Sequence, residues 1–191
     1  VLPTLLLALS LMPAAASAAP AYALSLSVSP SPAALQQVTL PPDVFSGLVR
    51  AVAQSALAAG FKLVAVMGDH GGGQEEMARV AQTLDAQAKK SGARVLHVGD
   101  LYAKADAQFD ELLVKRGITS KELHAGIPDT AAVMFLGAEN WIRRDQMAAA
   151  SEANGVQGTP SLATAEFGKL YLDMKIDNAV NQIKAFRAVS R

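Results

Sequence analysis

The chain has 191 residues with 17 Lys+Arg against 17 Asp+Glu, so its formal net charge is zero, and nothing in that balance suggests a nucleic-acid partner, which a basic excess would favour. The length suits one domain with a leader and is enough for a real core, although aromatic content is only 5% and alanine supplies much of the 51% hydrophobic fraction. There is no cysteine, which excludes disulfides and thiolate metal sites.

The chain opens on a short apolar run, Leu5 to Met12, followed by Pro13 and an Ala16-Ser17-Ala18 cleavage pattern, with Ala21-Tyr22-Ala23 as a second candidate. The run is shorter than the ~20 apolar residues that span a bilayer. Residues 1–23 therefore read as a signal peptide, with export to a periplasm or beyond and no membrane attachment after cleavage. The Ser/Pro/Ala-rich stretch 24–37 reads as a disordered linker.

An α/β domain is expected over 38–191. Pro41-Pro42-Asp43 starts a helix with Asp43 as its N-cap, and Phe45, Leu48, Val49, Val52 and Ala56 form its apolar face up to Gly60. Leu63 to Met67 is a strand without alternation, as in a parallel sheet buried on both faces. A second helix carries Met77, Val80, Ala81, Leu84 and Ala88 and ends at Gly92. Arg94 to Val98 is the next strand, completing a right-handed β-α-β unit. A short helix holds Phe109, Leu112 and Leu113, and a loop runs from Ile118 to Pro128. Pro128 at the first helical position, with Asp129 in the first turn, starts a helix through Leu136. A polar helix is expected around Trp141 to Ala150, with Trp141 packed. A turn-rich loop spans Asn154 to Pro160. The last helix runs from Ala163 to about Val189, with Phe167, Leu170, Tyr171, Met174, Val180, Ile183 and Phe186 on one face.

Chemistry points to the carboxyl end of the first strand, where ligands bind in open α/β sheets. There Asp69 and His70 precede three glycines and a helix. The chain has three histidines, and two of them, His70 and His124, lie in glycine-flanked turns with Asp69 and Asp129 nearby. Imidazole with carboxylate suits Zn²⁺ or Mn²⁺, and a metal with an open position activates water and polarises a carbonyl. The N–H groups of Gly71, Gly72 and Gly73 could hold an oxyanion or a phosphate at the helix start. Glycine-rich turns also serve packing, and His124 also reads as an ordinary loop histidine, so both readings stand. His97, inside a strand, reads as structural. Glu122, two residues before His124, reads as coincidence in a loop. A nucleotide site ranks last, since no GxGxxG or Walker pattern is present.

Two segments in order, GFKLVAVMGDHGGGQ (60–74) and HAGIPDTAAVM (124–134), resemble the strand-plus-NGHGGN and HAGxxET segments of the creatininase (creatinine amidohydrolase) family, and VTLPPDVF (38–45) resembles its TLPxDV helix start. The resemblance covers about Val38 to the C-terminus. It implies a three-layer α/β sandwich with a mostly parallel sheet, a divalent metal (Zn or Mn), and hydrolysis of a non-peptide, often cyclic, amide C–N bond in a homo-oligomer. It carries the metal-ligand role to His70, with Asp69 beside it, and the catalytic role to His124, with Asp129 where the family usually has Glu. Gly71, Gly72 and Gly73 would bind substrate or an oxyanion. Departures accompany it: Gly68, Asp69 and Gly73 replace Asn, Gly and Asn, and Gly72 stands where creatininase has a metal-binding Glu. The family's first strand and Glu-x-His…Asp segment have no counterpart before Val38. The expectation is a creatininase-like amidohydrolase in truncated or degenerate form, with a non-catalytic binding or assembly module as the alternative.

Overall fold

A computed structural model describes residues 40–147 and 155–189. The leader, the linker and Ser151 to Asn154 lie outside the described residues, as does the end of the helix expected to reach Ala150.

The first helix, α1 (Pro42–Ala58), begins on its two prolines. Pro41 takes the N-cap position and Pro42 the first helical one, so no side chain caps it; Asp43 sits inside the first turn, where its charge meets the helix dipole. Ala53 is the residue α1 buries, with Val49 and Leu57 packed beside it. Leu48 and Val52, expected on that face, are exposed together with Val44. The buried stripe is therefore rotated by one position from the expected one. Gly60 ends the helix with φ +95°, a conformation that costs L-residues with a side chain.

The strands β1 (Leu63–Val66) and β2 (Arg94–His97) pair in parallel, Val64 opposite Val95 and Val66 opposite His97. The Val98 N–H continues the ladder to the Val66 carbonyl at 2.8 Å. Between them runs α2 (Gln74–Ala88), whose Met77, Val80, Ala81, Leu84 and Ala88 are all buried, as the sequence periodicity predicts. Among the described residues the sheet has two strands. Asp85 locks α2 to the sheet: its carboxylate accepts Arg94 Nε at 2.7 Å, Arg94 Nη2 at 3.1 Å and the Val95 N–H at 2.9 Å.

The second half is helical. The helix α3 (Ala103–Lys115) starts well before the Phe109 expected to lie in a short helix. Its first turns, AKADAQ, are strong helix formers with few apolar side chains, so periodicity alone undercounts it. The helix α4 (Ile127–Phe135) begins one residue earlier than expected, leaving Pro128 second. The long α5 (Ala165–Val189) packs along α4 and α3. Its Gly168 lies directly on the Ala131 carbonyl, closer than any side chain would allow. The expected helix around Trp141 is instead two 3₁₀ turns, Glu139–Trp141 and Arg144–Gln146, and Trp141 is 82% exposed.

The apolar interior forms two clusters. One joins Ala53, Val80, Leu84 and Val95 of the β-α-β half. The other joins Phe109, Leu113, Ile127, Ala131, Phe167 and Tyr171 of the helical half. Helix α5 lines the second cluster and also touches the β-α-β half, where near its far end the Phe186 ring centre lies 4.2 Å from the Arg94 guanidinium carbon. No described helix is long and apolar enough to cross a membrane.

Candidate functional site

The β1 strand stops at Val66, and the chain turns through Met67 and Gly68 to expose Asp69, His70, Gly71 and Gly72. One side chain, Gln74, organises this turn. Its amide nitrogen donates to the carbonyls of Gly68 (2.8 Å) and His70 (2.7 Å). Its oxygen is left to accept from His97 Nε2 at 3.0 Å, which places the His97 proton on Nε2. Burial holds the His97 pKa below the ordinary imidazole value, so the ring stays neutral. The reading of His97 as structural therefore holds, and its part is specific, since the ring fixes Gln74 and Gln74 fixes the loop.

The three glycines have distinct surroundings. A side chain on Gly71 would meet the Tyr102 hydroxyl, and one on Gly72 would meet the His70 ring. Gly73 is the N-cap of α2 in the left-handed region, φ +85°, with the Phe45 ring where its Cβ would be. At Gly73 both conformation and space require glycine.

The second motif is pinned by Glu122. This carboxylate is 8% exposed and accepts the Ile127 N–H at 2.8 Å, the Thr159 N–H at 2.9 Å and the Ser120 hydroxyl at 2.7 Å. Burial alone would raise its pKa, but these donors outweigh burial and hold it below the usual carboxylate range. Gly126 and Gly158 press against its Oε2. The backbone adds two bonds to the turn after Gly155, from the Leu123 N–H to the Gln157 carbonyl (2.7 Å) and from the Gln157 N–H to the His124 carbonyl (2.8 Å). Glu122 is thus the anchor of the His124 loop. The sequence carried one signal of this, a carboxylate five residues before the helix start at Ile127, which spacing alone presents as coincidence.

His124 and Asp129 are exposed on this loop and the first turn of α4. Asp129 Oδ2 accepts the Ala125 N–H at 2.8 Å, which holds Ala125 at φ +52°, an uncommon conformation for a non-glycine residue. Desolvation by its surroundings raises the Asp129 pKa above the carboxylate norm; the Ala125 N–H, His124 and Lys175 pull it down, and Asp69 pushes it up.

Those influences put the two motifs within electrostatic reach of each other. Asp69 at the end of β1 and Asp129 at the start of α4 both lie in the field of Lys175, from α5. Lys175 is 6% exposed. Its Nζ is 2.6 Å from Asp69 Oδ1 and 3.6 Å from Asp106 Oδ1. It also lies 4.4 Å from the centre of the Tyr171 ring and 5.5 Å from that of Tyr102. The Tyr171 hydroxyl donates to Asp106 at 2.6 Å. Desolvation first, then Asp106, drives the Tyr171 pKa far up, so the phenol keeps its proton. The residues that sequence reasoning missed are thus Lys175, Asp106, Tyr171 and Tyr102. Lys175 had a sequence signal, since it follows Phe167 and Tyr171 at helical spacing and so places a charge on the apolar stripe.

A family model for creatininase, described as creatinine amidohydrolase, matches residues 5–183. The chain belongs to the creatininase family. The match takes in most of the segments read as leader and linker. Solved creatininases share the fold: a structure described as "Creatininase Mn" superposes with a TM-score of 0.61 at 15% identity, covering 78% of this chain and 65% of that one. A Trp-to-Phe creatininase variant gives 0.60 at 15% identity over 78% and 66%. A Glu-to-Gln variant complexed with creatine gives 0.59 at 14% over the same shares. The chain thus spans just under two thirds of the length of these creatininases. No curated protein sequence matches it. The α/β fold with parallel strands is the one the resemblance implies.

The described residues do not gather a metal site. Among the described residues no three His, Asp or Glu side chains gather into a metal-binding group. Of the residues outside them, Glu152 alone could add such a donor. Asp69, expected beside His70 as a ligand, has its Oδ1 on the Lys175 ammonium. The donor set as it stands does not fit a divalent ion. A cleft of about 340 Å³ at the other end of β1, lined by Gln54, Leu57, Phe61, Lys62, Gln87 and Ser91, includes none of these chemistry-bearing residues.

Proposed function

We propose that this chain is an amidohydrolase of small, non-peptide amides, cyclic ones included, exported to the periplasm or beyond and working as a homo-oligomer. One observation supports the reading: Asp69 of the first motif contacts the buried Lys175, and Asp129 of the second lies within electrostatic reach of both. In this reading the amide lies over the side-chain-free Gly71 and Gly72, whose N–H groups receive its oxygen. His124, beside Asp129, takes a proton from the attacking water and returns it to the departing nitrogen. Asp129 holds the loop through Ala125 and interacts electrostatically with His124. His70, beside Gly72, orients the substrate. Added Zn²⁺ or Mn²⁺ would act only by recruiting donors that the described residues do not yet gather.

The test is hydrolysis of creatinine and related cyclic amides, with and without Mn²⁺ or Zn²⁺, by the wild type, His124→Ala and His70→Ala. Loss of a general acid–base costs on the order of 10²-fold or more. Equal rates in all three proteins would remove the catalytic assignment. A second reading is favoured by the Asp69–Lys175 pair, which satisfies a carboxylate that the metal assignment needs: a non-catalytic module that binds a small amide without turning it over. Saturable calorimetric binding with no hydrolysis under any metal condition would select it.

A further inference from the structure

The two edges of the β1–β2 pair are treated differently. In a parallel ladder each strand turns the N–H and C=O groups of alternate residues to one side. The Arg94 N–H bonds the Lys62 carbonyl at 2.9 Å and the Val98 N–H bonds that of Val66 at 2.8 Å, so Lys62, Val64 and Val66 face β2 while Leu63 and Ala65 face the outer edge. Beyond β2, side chains close the edge: the Val95 N–H donates to Asp85 Oδ1 at 2.9 Å, and Gln182 donates to the His97 carbonyl at 3.2 Å. Among the described residues nothing does this for Leu63 or Ala65, and Ala65 is exposed in the middle of its strand. An open edge of this kind is a template for a further strand.

We propose that residues 24–29 of this chain occupy that edge as a third strand, parallel to β1. The segment Leu24-Ser25-Leu26-Ser27-Val28-Ser29 alternates strictly between apolar and polar residues, the pattern of a strand with one buried face, and Pro30 and Pro32 bound it. Handedness gives its place in the sheet. Val49, Ala53 and Leu57 of α1 pack in one cluster with Val80 and Leu84 of α2 and with Val64, Val66 and Val95, so both helices cover the same face. Crossovers between parallel strands are right-handed. Helix α2 leads from β1 to β2 on one side. Helix α1, on the same face and leading into β1, therefore starts from a strand on the other side, which is the open one. The join agrees with this. The Phe45 ring, near the start of α1, lies against Gly73, just past the carboxyl end of β1, where a strand parallel to β1 also finishes. Residues 30–39 link the two with a reach of up to about 33 Å. The family match begins at residue 5 and includes the segment. Both cleavage patterns of the leader end before Leu24, so export leaves the segment on the chain. The linker reading then applies to 30–37. This inference does not depend on the proposed hydrolysis, because it is read from backbone pairing.

The experiment is amide hydrogen exchange, followed by NMR on the full nitrogen-labelled chain, in the wild type, Leu26→Pro and Ser27→Pro. Val64 and Val66, bonded to β2, are the internal standard. In the wild type Leu63 and Ala65 should exchange at least about 100-fold more slowly than unpaired amides. Successive N–H groups of a strand point to opposite edges, so one of the two prolines removes a bond to β1 while the other falls on the solvent side. At least one variant should return Leu63 and Ala65 to fast exchange while Val64 and Val66 stay protected, which also shows that the domain is folded. Amide-to-α-proton Overhauser contacts between Ala65 and residues 24–29 in the wild type are a second measurement that needs no variant. Fast exchange of Leu63 and Ala65 in the wild type would overturn the proposal, as would the lack of those contacts. Protection that neither proline lifts would overturn it too; if that protection grows with protein concentration, a second copy paired edge to edge is the occupant instead.

Discussion

Replacing Glu122 by alanine tests how the His124 loop is held. The side chain is buried, and its two oxygens satisfy the Ile127 N–H, the Thr159 N–H and the Ser120 hydroxyl. Alanine strands the buried Ile127 donor at a cost of about 1–3 kcal/mol and the half-buried Thr159 donor at about 1 kcal/mol, while Ser120 can turn to water. Adding the lost packing, the expected destabilisation is about 3–5 kcal/mol, against a domain stability on the order of 5–15 kcal/mol. For a chain of this size that lowers Tm by roughly 10 °C. Glutamine should cost less, about 1–2 kcal/mol, because its oxygen can serve Ile127 and Thr159 while Ser120 turns to accept from its NH₂. The pH profile distinguishes the two. The Glu122 pKa is depressed in the fold, so its contribution is complete above its ordinary value of 4.5 and is lost as pH falls through the lower folded value. Wild-type stability should therefore drop with acid in that window, and Glu122→Gln should flatten the drop. Thermal melts of the three proteins between about pH 3 and 7 measure both effects. An alanine variant melting within about 2 °C of the wild type at neutral pH would refute the reasoning.

Gly168→Ala should be among the most damaging single-methyl additions, because the new Cβ meets the Ala131 backbone rather than a movable side chain; about 3 kcal/mol is expected, read by urea unfolding. Asp85→Asn should cost about 1–3 kcal/mol by weakening the fork to Arg94 and the bond to Val95. Although burial opposes it, the hydrogen bonds to Arg94 and Val95 lower the Asp85 pKa, so the wild type should lose this stabilisation as pH falls below about 4 and the variant should not. Gly73→Ala should cost about 1–3 kcal/mol through the left-handed backbone and the Phe45 ring, checked by melting and by slower loop-dependent turnover in the amide assay.

What the sequence disclosed follows from what each signal depends on. The stripe of α2 was legible because its apolar spacing is set by burial and repeats within a few residues, and the two strands were legible as short apolar runs; but β1, expected to be buried on both faces, has Ala65 exposed and no residue fully buried, because the described sheet has two strands. The face of α1 was misjudged because it offers apolar residues on more than one side, and local spacing cannot say which side meets a neighbour. Trp141 was expected inside on size alone, but no described element covers it. At the site, His70, His124 and Asp129 stood out by their glycine neighbours. Lys175 showed only as a charge on an apolar stripe, because the carboxylates that pair with it come from 106 and 69 residues earlier in the chain. Glu122 was passed over for a similar reason, since its value lies in bonds to Thr159, 37 residues on.

The two apolar clusters have a further meaning. Asp69 belongs to the half built on Val80 and Leu84, while Lys175 and Asp106 belong to the half built on Phe109 and Ile127. The ion pair is therefore a clasp across a seam. It shares that work with Gln182 of α5, which accepts the Asp100 N–H and donates to the His97 carbonyl, so a group that drew Asp69 away from the lysine would weaken one of several ties between the halves.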